Sequence, residues 1–224
     1  MVSFSYKIRK GANAMVKTEQ LGPYTLSWPA GVFPLGRDTL ALGDFATVRA
    51  GWRVCDLGTG SGALLLLLAR RAQRLSLTGI ELDGRAAAAA RDNLARNGLS
   101  GTVLCADLRT APLPAGQFDL VVSNPPYFAM GSGKSGGPAR SEETCTLDQL
   151  CTTAARLTRN GGRFALCHRP ERLADVVCSL RSHGLEPKRL TLSAHAPGHP
   201  PSLLLVEGVR QGKPGLAAAL EIRP

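Results

Sequence analysis

From residue 53 to residue 208, short apolar runs alternate with longer helix-type segments, and this alternation limits the possible folds more than any other feature of the sequence. The strand-type runs are RVCDL, LSLTGIEL, TVLCADL, FDLVVSN, GRFALCH, KRLTLS and SLLLVEG. Their apolar residues are nearly continuous, as expected of strands that helices cover on both faces. The pattern therefore predicts an α/β fold with a mostly parallel sheet of seven strands and helices on both faces.

The two ends of the chain differ from this central region. Between KRLTLS and SLLLVEG there is no room for a crossover helix, so the last two strands should form an antiparallel hairpin. Residues 1–50 contain a strand-type run, TLSW, and a helix-type run, DTLALGDFA, for which Asp38 is a candidate cap. We expect a single domain over residues 1–224, in which residues 1–50 pack on a core of residues 51–208 and residues 209–224 form a tail.

Charge and hydropathy narrow the possible partners. The formal net charge is +10 at pH 7, and basic side chains gain affinity for polyanions by releasing counterions. This charge favours a nucleic-acid partner, although solubility alone can also account for it. The N-terminal stretch MVSFSYKIRK lacks the apolar run of a secretory signal, and the longest apolar run, ALLLLLA, is too short to span a bilayer. We therefore expect a cytoplasmic protein without membrane association.

The cysteines and histidines do not indicate a disulfide framework or a metal centre. Six cysteines are scattered along the chain without a CxxC pair. Three lie in the apolar runs RVCDL, VLCAD and FALCH, where a thiol behaves as a small hydrophobe, so we expect reduced core cysteines. His195 and His199 have an HxxxH spacing, but no neighbouring ligands complete a site, and we expect no metal.

A glycine-rich turn, DLGTGSG, follows the first strand-type run of the core and precedes a helix-type segment. Gly58, Gly60 and Gly62 allow a sharp turn and a close approach of a ligand to the backbone at the amino terminus of the helix. The GxGxG spacing differs from the GxGxxG of dinucleotide-binding proteins. By itself the motif indicates only a ligand site of the nucleotide type.

Acidic residues lie at the ends of the next two strand-type runs. Glu81 in GIELD can accept hydrogen bonds from both hydroxyls of a ribose, and Asp107 in CADL can accept from an adenine amino group. Parallel strands present their carboxyl ends at one edge of the sheet, so both acids should meet the glycine turn there. Each acid also has a simpler interpretation, since Glu81 could cap the helix beginning near Asp83 and Asp107 could cap a loop.

The fourth strand-type run of the core ends in SNPPYF, which places two hydrogen-bond acceptors at the same edge. The side-chain carbonyl of Asn124 and the backbone carbonyl of Pro125 can each bind a hydrogen of an amino group. Two fixed carbonyls would stabilise the positive charge that develops on a planar nitrogen during its attack on a methyl group. Tyr127 provides a ring on which a base can stack, and Phe128 is either a second wall or a core anchor.

The order of glycine turn, acid, acid and NPPY at successive strand ends resembles the class I S-adenosylmethionine-dependent methyltransferases, over residues 53 to 208. The resemblance implies a Rossmann-like fold, with S-adenosylmethionine as the cofactor and S-adenosylhomocysteine as the product. The cofactor-binding residues that it implies are Asp56, Gly58, Thr59, Gly60, Gly62, Glu81, Leu82, Asp107, Leu108 and Asn124. The catalytic residues that it implies are Asn124, Pro125, Pro126 and Tyr127.

Further segments are similar to a narrower family, the bacterial tRNA(Val) adenine-N6-methyltransferases. These segments are GVFPLGRDTLALGDFA, ARSEETCTLDQL, GGRFALCHRPERLADVV, LEPKRL and VEGVRQGKPGL. The resemblance implies methylation of the N6 amino group of an adenine beside the anticodon, and therefore a tRNA substrate. It indicates no obligate protein partner and leaves the oligomeric state open.

Several residues near the same edge are candidates for contact with RNA, although a solvated side chain is the simpler interpretation of each charge. They are Phe128, Lys134, Arg140, His168 and Arg169. Ser141 stands where many family members have histidine, which leaves the target and the affinity open. Asp38 and Thr39 lie where related enzymes close over the cofactor.

Other functions share parts of this pattern. Families with NPPY also methylate adenine in DNA, guanine N2 in ribosomal RNA, and glutamine side chains of release factors. The glutamine methyltransferases carry a helical recognition domain upstream, whereas the residues that precede the first core strand here are few and basic. A catalytically silent RNA-binding protein is the non-enzymatic alternative, which the intact set of Asp56, Glu81, Asp107 and Asn124 disfavours.

Overall fold

The computed structural model describes residues 16–125 and 145–222. An antiparallel hairpin and a helix come first: β1 (Lys17–Leu21), β2 (Tyr24–Trp28) and α1 (Arg37–Phe45). The central elements are β3 (Arg53–Leu57), α2 (Ala63–Arg71), β4 (Ser76–Glu81), α3 (Gly84–Arg96), β5 (Gly101–Cys105) and β6 (Phe118–Ser123). The last elements are α4 (Leu147–Leu157), β7 (Thr158–His168), a 3-10 turn (Pro170–Arg172), α5 (Leu173–Ser182), β8 (Leu185–Ala194), β9 (Leu203–Arg210) and β10 (Ala217–Ile222). Within these ranges no helix is long and apolar enough to cross a membrane.

Eight strands form the central sheet, in the order β10-β8-β9-β7-β6-β3-β4-β5. Only β9 runs antiparallel to its neighbours among these paired strands. The expected α/β fold is confirmed, including the antiparallel hairpin of β8 and β9. The expected number of strands is corrected from seven to eight, because part of the expected tail forms β10, which pairs in parallel with β8.

The central strands are covered on both faces, as their continuous apolar sequences predict. Val54, Leu120 and Val122 belong to one apolar layer, which contains the buried sides of α1, α2 and α3. Cys55 and Val121 belong to the other layer, with α4 and α5. All five side chains have no exposed surface. Successive residues of β3 and β6 therefore serve opposite layers, as the two-residue period of a strand requires.

The start of α1 corrects one expectation about its cap. Gly36 is the N-cap, in an extended conformation, and has no side chain that could bond to the first turn. Asp38 lies inside the first turn, where a carboxylate interacts favourably with the positive end of the helix dipole. At α3 the N-cap is Asp83, whose side chain accepts hydrogen bonds from the backbone N–H groups of Arg85 and Ala86.

All six cysteines are free. Cys55, Cys151 and Cys167 are buried, in agreement with the expectation of reduced core thiols. Cys105 is exposed at the end of β5, so the expectation of burial from VLCAD is wrong for this residue. The last residue of a strand lies where the covering layers end, and an apolar sequence around it does not guarantee burial.

Asn93 joins the N-terminal hairpin to the core. Its side chain, 1% exposed in α3, accepts from the backbone N–H of Ser27 at 2.9 Å and donates to the carbonyls of Ser27 and Ser61 at 2.7 and 2.9 Å. Asn97 pairs in the same way with the backbone of Thr25. Two side-chain amides, one in α3 and one at its C-cap, thus bind the backbone of β2 as a neighbouring strand would. They place the segment that follows β2, residues 31–39, beside the carboxyl edge of the sheet.

We expect Asn93→Ala to lower the free energy of unfolding by about 2–4 kcal/mol, because three buried backbone groups lose their hydrogen-bond partner. Asp92→Ala, at the exposed neighbouring position of α3, is the matched control and should change it by less than about 0.5 kcal/mol. Urea denaturation followed by circular dichroism measures both. The assigned role of Asn93 would be wrong if its variant unfolded at the same urea concentration as the wild type.

Candidate functional site

A cavity of about 470 Å³ lies at the carboxyl edge of β3, β4, β5 and β6. Residues 31–39, which include the connection after β2 and the start of α1, form a further part of its wall. Its volume is within the range of small-molecule sites. The residues singled out in the sequence that line it are Asp56, Gly58, Thr59, Gly60, Glu81, Leu82, Asp107, Leu108, Asn124, Pro125 and His168, together with Asp38 and Thr39.

The glycine turn presents bare backbone to this cavity. The N–H groups of Gly58 and Thr59 both donate to the carbonyl of Ile80 in β4, at 2.9 and 3.0 Å, which ties the turn to the sheet. Gly58 and Gly60 have φ angles of 74° and 55°, and a Cβ atom on either would have no neighbour within 4 Å. The space in front of both is therefore open to a ligand. Gly62 lies behind the wall as the N-cap of α2.

Asp56 is a buried carboxylate at the end of β3. It is 1% exposed, and its Oδ2 accepts a hydrogen bond from the hydroxyl of Thr59 at 2.7 Å. No donor in the described parts of the chain reaches its Oδ1. Burial, together with the negative charge of Glu81, raises the pKa of Asp56 to about 7, although the hydrogen bond from the Thr59 hydroxyl lowers it. Such an oxygen in a cavity wall suits a cationic or hydrogen-bonding ligand.

Two backbone N–H groups, one on each oxygen, bind the carboxylate of Glu81. Its Oε2 accepts from the N–H of Gly60 at 2.7 Å, and its Oε1 accepts from the N–H of Asp83 at 2.9 Å. The interpretation of Glu81 as a helix cap is wrong, because Asp83 is the N-cap of α3. The carboxylate instead links the glycine turn to the end of β4, and it lies in the cavity wall.

Asp107 follows β5 and is held by Arg109, a partner that the sequence analysis missed. The backbone N–H and the Nε of Arg109 donate to Asp107 Oδ1 at 2.9 Å, and Nη2 donates to Oδ2 at 2.5 Å. The hydrogen bonds from the Arg109 side chain lower the pKa of Asp107. The interpretation of Asp107 as a loop cap is thus supported, since it binds the N–H two residues later. The same carboxylate also lines the cavity, so both interpretations apply.

Asn124 lies directly after β6 and is oriented by two buried side chains. Its Nδ2 donates to the hydroxyl of Thr39 at 2.9 Å, and the thiol of Cys167 donates to its Oδ1 at 3.1 Å. The preceding residue, Ser123, donates from its hydroxyl to the carbonyl of Leu57 at 2.8 Å. This bond joins the end of β6 to the end of β3, so that Asn124 is placed beside the glycine turn.

Pro125 lines the cavity next to Asn124. The remaining residues expected near the acceptor lie outside the described ranges. They are Pro126, Tyr127, Phe128, Lys134, Arg140 and Ser141. Their assigned parts in stacking, catalysis and RNA contact therefore stay predictions from the sequence.

His168 lies in the cavity wall rather than on an exposed rim. It is 2% exposed, and its Nδ1 accepts a hydrogen bond from the N–H of Arg169 at 2.8 Å. Burial, together with the positive charges of Arg172 and Arg169, lowers the pKa of His168 to about 4. The imidazole is therefore neutral at pH 7, so the interpretation as a solvated charge is wrong, while contact of His168 with RNA stays a prediction. Arg169 itself is half-buried.

The histidines with HxxxH spacing do not form part of this site. The rings of His195 and His199 lie 4.3 Å apart between their centroids, in the connection between β8 and β9. Among the described residues, no group of three or more His, Cys, Asp or Glu side chains is placed to hold a metal ion.

The comparisons with known proteins agree with this arrangement. The family model described as methyltransferase small domain matches residues 38–173. A protein of Porphyromonas gingivalis named tRNA1(Val) (adenine(37)-N6)-methyltransferase is 34% identical over 186 residues, which cover 77% of this chain and 73% of that protein. The family model thus covers the residues of the cofactor motifs and nearly all of α1 before them.

Two solved structures show the same fold. A predicted O-methyltransferase from Agrobacterium tumefaciens superposes with a TM-score of 0.67 at 24% identity, covering 83% of this chain and 86% of that one. The 16S rRNA N2 G1207 methyltransferase of T. thermophilus, in complex with AdoMet and guanosine, gives a TM-score of 0.64 at 22% identity, covering 87% of this chain and 50% of that one. With its fold, its cavity and its sequence relatives in agreement, this chain belongs to the methyltransferase small domain family.

Proposed function

We propose that this enzyme transfers a methyl group from S-adenosylmethionine to the N6 amino group of an adenine in tRNA, beside the anticodon of tRNA(Val). The observation that carries the proposal is the position of Asn124. Its amide lines the same cavity as Asp56, Glu81 and Asp107, at the carboxyl edge of neighbouring parallel strands. A cofactor site and an acceptor for an amino group therefore adjoin each other.

The residues of the cavity fit S-adenosylmethionine. Bare backbone at Gly58 and Gly60 leaves room for the ligand at the amino terminus of α2, and Asp56 offers an oxygen suited to a positively charged group. Glu81 would accept from the ribose hydroxyls. Asp107 would accept from the adenine amino group, since a carboxylate has about four lone-pair sites and can do so while it binds Arg109.

Apolar side chains in the wall complete this fit. Leu57, Ile80, Leu82 and Leu108 line the cavity beside the acids, and together they provide surface for the faces of an adenine ring. Leu82 is 57% exposed, so a bound ring would also remove apolar surface from water. Both observations favour a ligand with an aromatic part and polar edges.

The proposed roles of Asn124 and Pro125 follow from the chemistry of an aromatic amine. S-adenosylmethionine supplies an electrophilic methyl group on a sulfonium. The lone pair of the target nitrogen is delocalised into its ring, so the protein has to make this nitrogen a better nucleophile. Asn124 Oδ1 and the Pro125 carbonyl would bind its two hydrogens and stabilise the positive charge that develops in transfer. The bond from sulfur to the methyl group would break as the bond from nitrogen forms, and the methylated nitrogen would then lose one proton to water. No strong general base is therefore required, and His168, neutral and buried, is not needed as one.

The choice of tRNA rests on the relatives and on charge. The Porphyromonas gingivalis relative is named for tRNA1(Val) and for adenine 37. The net charge of +10 supports a polyanionic substrate. A tRNA-modifying enzyme acts where its substrate is, and we therefore place the activity in the cytoplasm.

Mass spectrometry of nucleosides tests the substrate directly. Purified protein and S-adenosylmethionine are incubated with deproteinised tRNA, ribosomal RNA, DNA and a release factor, and each product is digested and analysed. We expect N6-methyladenosine in the tRNA sample, and tRNA(Val) should be the methylated species when isolated tRNAs are compared. Methylglutamine in the release factor, with unmodified tRNA, would support the glutamine methyltransferase instead.

We expect Asn124→Ala to lower turnover by about 100-fold or more, because a fixed acceptor for developing charge is lost. Calorimetry should show that S-adenosylmethionine still binds with a Kd within about 3-fold of the wild-type value, which separates loss of chemistry from loss of folding. Asn160→Ala, at an exposed position near the opposite end of β7, is the matched control. Turnover of Asn124→Ala equal to that of Asn160→Ala would remove Asn124 from the mechanism.

We expect the affinity for S-adenosylmethionine to rise about 10-fold from about pH 6 to about pH 8. Without ligand, the pKa of Asp56 is about 7, so its carboxyl is mostly protonated at pH 6. A bound cation favours the ionised form and lowers this pKa, and binding below pH 7 must therefore displace a proton.

Asp56→Asn isolates this effect, because the titration of the ligand itself is common to both proteins. The variant should bind more weakly at pH 8 and depend less on pH. Calorimetry at several pH values, in buffers of different ionisation enthalpy, measures the affinity and the released proton. Parallel pH profiles for wild type and variant would rule out ionisation of Asp56 as the cause.

A further inference from the structure

The side-chain amide of Asn124 lies between two buried side chains from distant parts of the chain. Thr39 of α1 accepts from its Nδ2 at 2.9 Å, and Cys167 of β7 donates to its Oδ1 at 3.1 Å. Thr39 is 8% exposed and Cys167 has no exposed surface. The two contacts hold opposite ends of the amide, so they define both its plane and the direction of its carbonyl.

The position of Thr39 does not depend on Asn124, because other contacts fix α1. Arg71 of α2 donates to two backbone carbonyls at the end of α1, at 2.5 and 2.7 Å. Immediately beyond the helix, the N–H and the hydroxyl of Thr47 donate to the buried carboxylate of Glu207 in β9, at 2.7 and 2.9 Å. The helix thus carries the Thr39 hydroxyl to the cavity wall as part of a rigid element.

The orientation of the amide matters for the proposed transfer. A carbonyl oxygen has two lone pairs, so the contact with the Cys167 thiol is compatible with a second hydrogen bond from a substrate amino group. Rotation of the amide by 180° would place Nδ2 beside the Cys167 thiol, so that two donor groups would face each other. A hydroxyl alone tolerates either orientation, but the thiol favours the carbonyl at its own end, because oxygen is a better acceptor than sulfur.

We infer that Thr39 is a positioning residue for the acceptor: its hydroxyl anchors the Nδ2 end of the Asn124 amide while the Cys167 thiol selects the carbonyl at the other end, so that Oδ1 receives the amino group of the substrate. The inference rests on the proposed function and extends it, because it gives the first turn of α1 a part in the transfer step. Thr39 acts through Asn124, so its loss slows turnover rather than weakening the binding of cofactor or RNA.

Thr39→Val tests this inference, since it keeps the branched shape of the side chain and removes the hydroxyl. We expect kcat on tRNA to fall about 10-fold or more, whereas KM for tRNA and the Kd for S-adenosylmethionine change less than about 2-fold. Thr39→Ser restores the hydroxyl and recovers most of kcat. Thr153→Val replaces a buried threonine of α4 outside the cavity wall, and this control leaves kcat unchanged. Equal kcat for Thr39→Val and wild type, or equal losses for Thr39→Val and Thr39→Ser, overturns the inference.

Nuclear magnetic resonance provides a measurement that does not require methyl transfer. The side-chain NH2 signals of Asn124 are identified as the pair missing from the spectrum of Asn124→Ala. In Thr39→Val this pair moves towards the shifts of solvent-exposed amides and exchanges faster with water, and in Thr39→Ser it stays as in the wild type. Unchanged signals in Thr39→Val overturn the inference whatever the kinetics. Failure of the wild type to methylate tRNA overturns the proposed function instead, while the amide signals still decide the part of Thr39.

Discussion

The parallel pairing of β3 with β4 and with β6 is the constraint on which the rest of the site depends. Asp56 of β3 pairs with Gly79 of β4 and with Val122 of β6. The three strands therefore end at nearly the same level, and the residues at and just beyond their ends, including Glu81 and Asn124, meet around one cavity. A shift of one residue in either pairing would turn these side chains to opposite faces of the sheet. The buried apolar layers that determine the register therefore also determine which side chains line the cavity.

The N-terminal segment packs into the apolar layer around α2 and α3, where Leu26 and Leu42 have no exposed surface, and buried hydrogen bonds fix its position relative to the site. Asn93 satisfies the backbone of β2, Glu207 binds the residue after α1, and Thr39 then reaches Asn124. Buried polar groups are costly when unpaired, so this chain of contacts favours a single placement of the segment over other packings of similar area. The same bonds that order the segment consequently order the acceptor amide.

Local sequence was sufficient for strands β3 to β9 of the sheet and for the acidic residues at its edge. Strands buried on both faces need continuous apolar residues, and parallel connections bring their carboxyl ends together, so Glu81 and Asp107 could be placed in the site without coordinates. What could not be predicted depends on contacts between distant residues or on solvent access. Thr39 and Asn124 are far apart in sequence, so their contact has no local signal. The burial of His168 depends on the residues that surround it in the fold. Strand β10 has mostly exposed side chains and no clear apolar face. Arg109 was missed because a basic residue in a loop more often points to solvent.

The charge states of the cavity follow from the same packing. Burial raises the pKa of Asp56 and lowers that of His168, so both groups are driven towards their neutral forms. For Asp56 this leaves a carboxyl that ionises near neutral pH and whose ionised form a positively charged ligand would stabilise. The carboxylate of Glu81 has other surroundings, because two backbone N–H groups bind its oxygens. The two acids therefore differ in their surroundings, and this difference supports the proposal that a cationic group of the ligand lies at Asp56 and the ribose hydroxyls lie at Glu81.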